Sequence, residues 1–204
     1  MTPPCAATLN APALAARLAA GRPVLFPTDT LPALATRPAS ADLLWTLKQR
    51  PRNKPVILMA AEVEPLWTCL GLKIDAAWQE LAERYWPGAL TLVLPAQGEW
   101  LEHLNPGGTT LGLRIPSCDE ARELLQLSGP LATTSANRSG EPACLDHQEA
   151  ALRFPEVAQL GPVPWPAPSG QGSTVIEWDP SGNWKVLRAG AVMPANLNRS
   201  SLAQ

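Results

Sequence analysis

The chain has 204 residues, 46% apolar and 17% charged, with 23 prolines and 14 glycines; its length suits one domain of roughly 100–200 residues, and Pro plus Gly, about 18%, lies under the roughly 25–30% of low-complexity disorder. Sixteen basic against 18 acidic residues leave a net charge of −2, which excludes a global field drawing the protein onto nucleic acid or a membrane, so any anion site must be local. No run approaches the ~20 apolar residues of a membrane span.

In chain order, Asn10, Pro12 and Gly21 bracket an Ala/Leu run with a capping side chain, a first-turn proline and a terminal glycine, which predicts a short helix. Val24 to Phe26 follows as a strand. Ser40 precedes a helix over Ala41 to Lys48, with Leu43, Leu44 and Leu47 on one face and Asp42 near the positive end of the dipole. Val56 to Ala60 suits a buried strand. Asp75 caps a helix through Tyr85, and the Trp86-Pro87-Gly88 break leads into a strand at Leu90 to Leu94. Leu111 to Ile115 is a further strand. Ser117 with Glu120 reads as a capping box for a helix reaching about Leu127, and Leu131 to Thr134 as a strand ending in a polar loop. Asp146 caps one more helix. The tail reads as a hairpin of Thr174 to Trp178 and Trp184 to Leu187. This alternation predicts an α/β (mixed α+β) fold, a single layered domain over 1–204 with a twisted mixed sheet and a core at about 10–190. Pro162 to Pro168 reads as a surface loop, since too few residues follow it for a second core.

Cysteines 5, 69, 118 and 144 form no C-x-x-C motif and are expected to be buried thiols. With His103 and His147 the only histidines, no metal site is expected from protein ligands alone, and no histidine triad. No Lys or Arg precedes Arg17, and Pro12 breaks the apolar stretch. That is not the form of a signal peptide, and a cytoplasmic setting is expected.

Lys48, Arg50, Arg52 and Lys54 place four positive charges within seven residues. Pro51 and Pro55 favour extended backbone, in which such alternation turns all four to one side. They read either as a phosphate or carboxylate clamp or as a solvated basic loop at a helix C-terminus. Thr133 to Gly140 gathers hydroxyl, amide and backbone donors after a strand, where α/β sheets commonly bind ligands, though Ser, Asn and Gly also build ordinary turns. Pro27-Thr28-Asp29-Thr30 ends the first strand. Arg114 sits inside an apolar strand, so its guanidinium either faces solvent or meets a fixed anion. No Walker loop occurs. Of the 8 tryptophans, Trp45 and Trp78 share helical faces with leucines and are expected in the core rather than stacking on bases.

Taken together, Pro27-Thr28-Asp29-Thr30, Leu47-Lys48-Gln49-Arg50-Pro51 with Lys54-Pro55, Trp86-Pro87-Gly88-Ala89-Leu90-Thr91, Arg114-Ile115-Pro116, Thr134-Ser135-Ala136-Asn137 with Ser139-Gly140, Ser173-Thr174-Val175 and Leu187-Arg188-Ala189-Gly190 resemble, in order and spacing, the YrdC-like threonylcarbamoyl-adenylate synthases. The resemblance implies a positively lined concave cavity and a reaction of L-threonine, bicarbonate or CO2, and ATP, assisted by Mg2+ on the phosphates, that makes the activated intermediate for tRNA threonylcarbamoyladenosine. It implies Lys48 and Arg50 as catalytic, Arg50, Lys54, Thr110, Ser135, Asn137 and Arg188 on the nucleotide side, and Thr28, Arg114, Thr133 and Ser173 around threonine, with Arg114 on its carboxylate. It is to the short form without the extra C-terminal domain, expected to hand its product to separate tRNA threonylcarbamoyl-transferase proteins. Leu31-Pro32-Ala33 stands where the family usually has an aromatic residue and glycine, which removes a ring from the expected substrate wall. Two alternatives stay open: an RNA- or nucleotide-binding protein without synthesis, and a paralogue using another amino acid.

Overall fold

A computed structural model describes residues 6–195 and 197. Strand β1 (Thr8–Leu9) leads into helix α1 (Ala11–Ala19), where the Asn10 side chain accepts from the Ala13 N–H at 3.0 Å. Strands β2 (Val24–Phe26) and β3 (Ala33–Thr36) pair antiparallel. Helix α2 (Asp42–Lys48) and strand β4 (Ile57–Met59) follow, then helices α3 (Val63–Cys69) and α4 (Ala76–Tyr85). Strand β5 (Leu90–Pro95), helix α5 (Glu99–Leu104), strand β6 (Thr110–Arg114), helix α6 (Asp119–Ser128) and strand β7 (Leu131–Ser135) come next. Helix α7 (His147–Arg153), strand β8 (Ala158–Leu160) and the hairpin β9 (Thr174–Trp178)–β10 (Trp184–Arg188) complete the described elements.

The described strands form one mixed sheet in the order β1-β8-β2-β3-β7-β4-β6-β5-β9-β10. Its two faces are covered unequally, and that inequality makes the site. Alternate strand residues point to opposite faces, so Leu25, Leu34, Leu58, Leu92, Leu113 and Ile176 join the larger core with residues of α2, α3, α4, α5 and α7. The opposite face carries Val24, Phe26, Ala33, Ala35 and Met59, which pack against Leu14 and Leu18 of α1 and Leu124 and Leu125 of α6. These two helices cover only part of that face. Over β4, β6, β5 and β9 the same face lines an open cavity instead.

Helix α2 starts at Asp42 without a side-chain cap, after a one-turn 3-10 helix (Pro38–Ser40) that holds Ser40. Two expectations need correction. The capping box at Ser117 and Glu120 is absent. Cys118 holds the cap position with no side-chain bond to a helix N–H, Glu120 accepts from the Cys118 thiol, and the Ser117 N–H goes to Asp29 Oδ1 at 3.1 Å. Residues 51–54 are not extended either, because the Lys54 N–H donates to Pro51 O at 3.1 Å and closes a turn, which scatters the four basic side chains.

Trp45 and Trp78 are buried in the core as expected. The Pro162–Pro168 stretch is irregular but anchored, for the buried Trp165 donates its indole N–H to Leu160 O at 2.7 Å. Cys69, Cys118 and Cys144 are buried free thiols, and burial pushes Cys69 and Cys118 up to about 12. Cys5 lies outside the described residues.

Candidate active site

The uncovered part of the sheet and the loops at its rim enclose a cavity of about 490 Å3. One row across the ladder makes its floor: Thr133 pairs with Ile57, Ile57 with Gly112, Gly112 with Val93, and Val93 with Glu177. Gly112 keeps the floor open, since a Cβ there would meet Ile57 Cγ2 at 2.8 Å. On either side of this row the cavity changes character. Thr110 and Arg114, both lining it from β6, lie four residues apart, roughly 13 Å along a strand.

At one end stands Arg114, 2% exposed. Its Nη2 donates to Asp29 Oδ1 at 2.7 Å, its Nη1 to Thr30 Oγ1 at 2.7 Å and its Nε to Gly88 O at 3.0 Å. Of the two outcomes left open by the sequence, solvent or a fixed anion, the second holds: Arg114 meets Asp29, from the motif that ends the first strand. Burial lowers the Arg114 pKa and the Asp29 charge opposes that shift. Three of the five guanidinium N–H groups are engaged, which leaves two for a ligand. Trp86-Pro87-Gly88 forms this cradle: Trp86 anchors its indole on Leu90 O at 2.7 Å, and the Gly88 N–H donates to Ile115 O at 2.8 Å. A Cβ on Gly88 would meet Tyr85 O at 2.5 Å, so only glycine fits the turn.

Hydroxyls crowd the same end. Thr28 Oγ1 accepts from the Thr30 and Leu31 N–H groups at 3.2 and 3.1 Å, is itself held 2.7 Å from Leu31 O, and meets Thr30 Oγ1 at 3.0 Å. Ser173 and Thr91 hydroxyls pair at 2.8 Å. Arg188 reaches over from β10, its Nη2 donating to Ser173 O at 2.8 Å. Leu31 and Pro32 line the cavity beside these threonines.

At the other end are Arg50, Lys54, Thr110 and Ser135. Arg50 donates from Nε to Lys54 O at 3.1 Å and from Nη2 to Pro55 O at 3.0 Å. Among the described residues it has no carboxylate partner, and burial lowers its pKa. Its charge stays available to the cavity.

Nine of the expected site residues thus line one cavity: Thr28, Arg50, Lys54, Thr110, Arg114, Thr133, Ser135, Ser173 and Arg188. Lys48 and Asn137 do not. The Lys48 side chain is buried, and its Nζ donates to Ser135 O and Asn137 O, each at 2.5 Å, and to Asn137 Oδ1 at 3.0 Å. Burial, with the nearby Arg50 charge as the next cause, pulls its pKa down to about 7. The Asn137 amide is consumed within its loop, accepting from Ser135 Oγ at 2.6 Å and donating to Arg138 O at 2.9 Å and Glu141 O at 2.7 Å. Both residues hold the Ser135 loop against the end of α2, where the Ser139 N–H also meets Lys48 O at 2.8 Å and Arg138 donates to Leu47 O. Arg52, the fourth cation of the run, pairs with Asp42 at 3.0 Å outside the cavity.

The sequence reading assigned no role to Thr91, Glu177 or Asn53, which also line the cavity, nor to Asp29, which holds Arg114. Thr30, Thr91 and Asp29 lay inside the recognised motifs. Glu177 carried no local signal. Among the described residues no group of three His, Cys, Asp or Glu could hold a metal ion, and Glu177 is the one carboxylate lining the cavity. His103 and His147 do not line the cavity.

A profile of the Sua5, YciO and YrdC proteins, described as "Telomere recombination", matches residues 16–190. The chain belongs to this family. It is similar to the threonylcarbamoyl-AMP synthase of Mus musculus, 32% identical over 201 residues that cover 94% of this chain and 70% of that protein. A crystal structure of P. abyssi Sua5 complexed with L-threonine shares the fold with a TM-score of 0.81 at 30% identity, over 88% of this chain and 54% of that one. The chain thus spans about half the length of that Sua5. The E. coli YciO crystal structure, at 23% identity and a TM-score of 0.77, covers 88% of both chains and shares the fold. No helix of the described residues is long and apolar enough to cross a membrane.

Proposed function

We propose that the chain is an L-threonylcarbamoyladenylate synthase, and one observation carries the reading: a single cavity joins a buried, hydroxyl-ringed guanidinium at one end to an uncompensated guanidinium and ammonium at the other. The separation, roughly 13 Å along β6, accommodates an amino acid beside a triphosphate. Relatives named threonylcarbamoyl-AMP synthase support the same assignment.

In this reading the threonine carboxylate meets the two spare N–H groups of Arg114, with Thr28 and Ser173 near its hydroxyl. The threonine nitrogen adds to CO2, forming an N–C bond and releasing a proton, and a carbamate oxygen then attacks the α-phosphorus of ATP. The bond from that phosphorus to the β-phosphate oxygen breaks, pyrophosphate leaves, and threonylcarbamoyl-AMP remains. Positioning and charge dispersal do the catalysis, with Arg50 and Lys54 spreading negative charge on the phosphates. Arg188, expected on the nucleotide side, instead stands at the threonine end, where it holds Ser173 O. No histidine base is required. The product would pass to separate transferases that act on tRNA adenosine in the cytoplasm. Net charge −2 speaks against broad RNA affinity.

A second reading has its own observation. Leu31 and Pro32 line the cavity next to Thr28 and Thr30, and an aliphatic wall there suits an amino acid other than threonine.

Pyrophosphate release from ATP, measured with and without L-threonine and bicarbonate, tests both. Release that requires all three substrates and collapses in Arg50→Ala is the expected outcome. ATP binding without threonine-dependent release would sink the synthase reading, and release with a different amino acid would establish the paralogue.

A further inference from the structure

Glu177 is out of place in a cavity built for anions. It lines that cavity from β9, at the end of the floor row, where Val93 is its neighbour on β5. Lys185 stands opposite it across the β9–β10 ladder, yet among the described residues Glu177 makes neither an ion pair nor a side-chain hydrogen bond. Four cationic side chains line the cavity, Arg50 and Lys54 at one end and Arg114 and Arg188 at the other. A carboxylate facing phosphates would oppose binding, so Glu177 must face a part of the substrate that is uncharged and donates hydrogen bonds.

We propose that Glu177 is a specificity residue that recognises the ribose of the nucleotide, its carboxylate accepting from the vicinal 2′- and 3′-hydroxyls. The inference rests on the ATP-dependent synthase reading. The geometry follows from the sheet. A reaction between the two cationic ends places the α-phosphate over Gly112, the open midpoint of the floor. Glu177 stands two strands away, about 10 Å at the usual strand spacing. A glutamate side chain and a ribose ring together bridge that gap, and the ribose is the substrate portion attached directly to the α-phosphate. An ionised carboxylate is acceptor-only, and carboxylates serve this purpose in other nucleotide sites. Val175 and Leu187 beside it give the sugar and base an apolar shelf.

The test compares ATP with 2′-deoxy-ATP in wild type, Glu177→Ala and Glu177→Gln. Dissociation constants come from calorimetry and kcat/KM from threonine-dependent pyrophosphate release. Wild type is expected to prefer ATP by about tenfold, one good hydrogen bond's worth. Glu177→Ala loses the 2′ and 3′ contacts with ATP but only the 3′ contact with the deoxy nucleotide, so its ratio falls to within about twofold, while Glu177→Gln, which keeps an acceptor, retains part of it. A wild type that does not discriminate, or an Ala variant with the wild-type ratio, overturns the proposal. Recovery of Glu177→Ala by added magnesium also overturns it, by making the residue a metal partner. If wild type binds ATP but releases no pyrophosphate, the synthase reading fails while the ratio of dissociation constants still decides Glu177. Absence of ATP binding overturns both.

Discussion

Arg114 and Arg50 stand at opposite ends of one cavity and are held in different ways. Arg114 is buried and fixed by a carboxylate, a hydroxyl and a carbonyl, so its charge is largely neutralised before any ligand arrives. Arg50 is half-buried and held only by two backbone carbonyls, so its charge is unspent. A neutralised but rigid guanidinium offers direction, which suits selection of one small carboxylate. An uncompensated one offers field, which suits a triphosphate whose charge redistributes during reaction. The same side chain thus does two jobs according to whether the fold supplies its counter-ion.

If that contrast is right, mutations at the two ends should separate stability from activity. Arg114→Met strips Asp29 of its partner, and breaking a pair this deeply buried is expected to cost about 3 kcal/mol in urea unfolding together with loss of threonine-dependent pyrophosphate release. A cost under about 1 kcal/mol would mean that the pair is not structural. Arg50→Ala should do the reverse. Its stability is expected within about 0.5 kcal/mol of wild type while pyrophosphate release falls about 100-fold. Equal losses of stability in the two variants would break the comparison.

How far each end was legible in the sequence differs for the same reason. The Arg50 end announced itself as a dense local run of charge, although the run misled on geometry, because the turn closed by the Lys54 N–H turns Arg52 away and the helix end buries Lys48. A charge inside an apolar strand left Arg114 the choice of solvent or a fixed anion, but Asp29 lies 85 residues away and only the fold unites them. Long periodic elements such as α1, α4 and the β9–β10 hairpin were readable from caps and alternation. The ladder strand β3 was not, since Ala-Leu-Ala-Thr after a proline has weak strand preference and owes its place to the partners on either side. Helix α3 begins Val-Glu-Pro, which reads as a break although proline is tolerated in a first turn. Helix α5 has only six residues.

Outside the cavity, behind its Arg50 end, sits Lys48, and its titration gives a smaller, pH-dependent effect. Its pKa falls from 10.5 when unfolded to about 7 when buried. Below about pH 7 both states hold the proton; between about 7 and 10.5 only the unfolded state does. Stability conferred by this residue therefore rises with pH across that window. Urea midpoints at rising pH are expected to show wild type gaining on Lys48→Met, in which that titration is absent. A difference between the two that stays flat, or runs the other way, would show that the ammonium is not desolvated against the Ser135 loop.

The smallest expected effect is at Lys54, and it tests whether the open end acts through field. The backbone carbonyl of Lys54 accepts from the Trp45 indole at 2.9 Å and from Arg50 Nε, so Lys54→Ala keeps both anchors and removes only an exposed ammonium from the cavity rim. KM for ATP is expected to rise several-fold at low ionic strength, and the difference should fade toward 1 M salt, where the screening length shrinks to about 3 Å. Arg52→Ala is the control, because that guanidinium is paired with Asp42 outside the cavity and its loss should leave KM unchanged. A Lys54→Ala defect that persists at high salt would make the ammonium a direct phosphate contact, and the open end would then resemble the closed one more than the contrast with Arg114 allows.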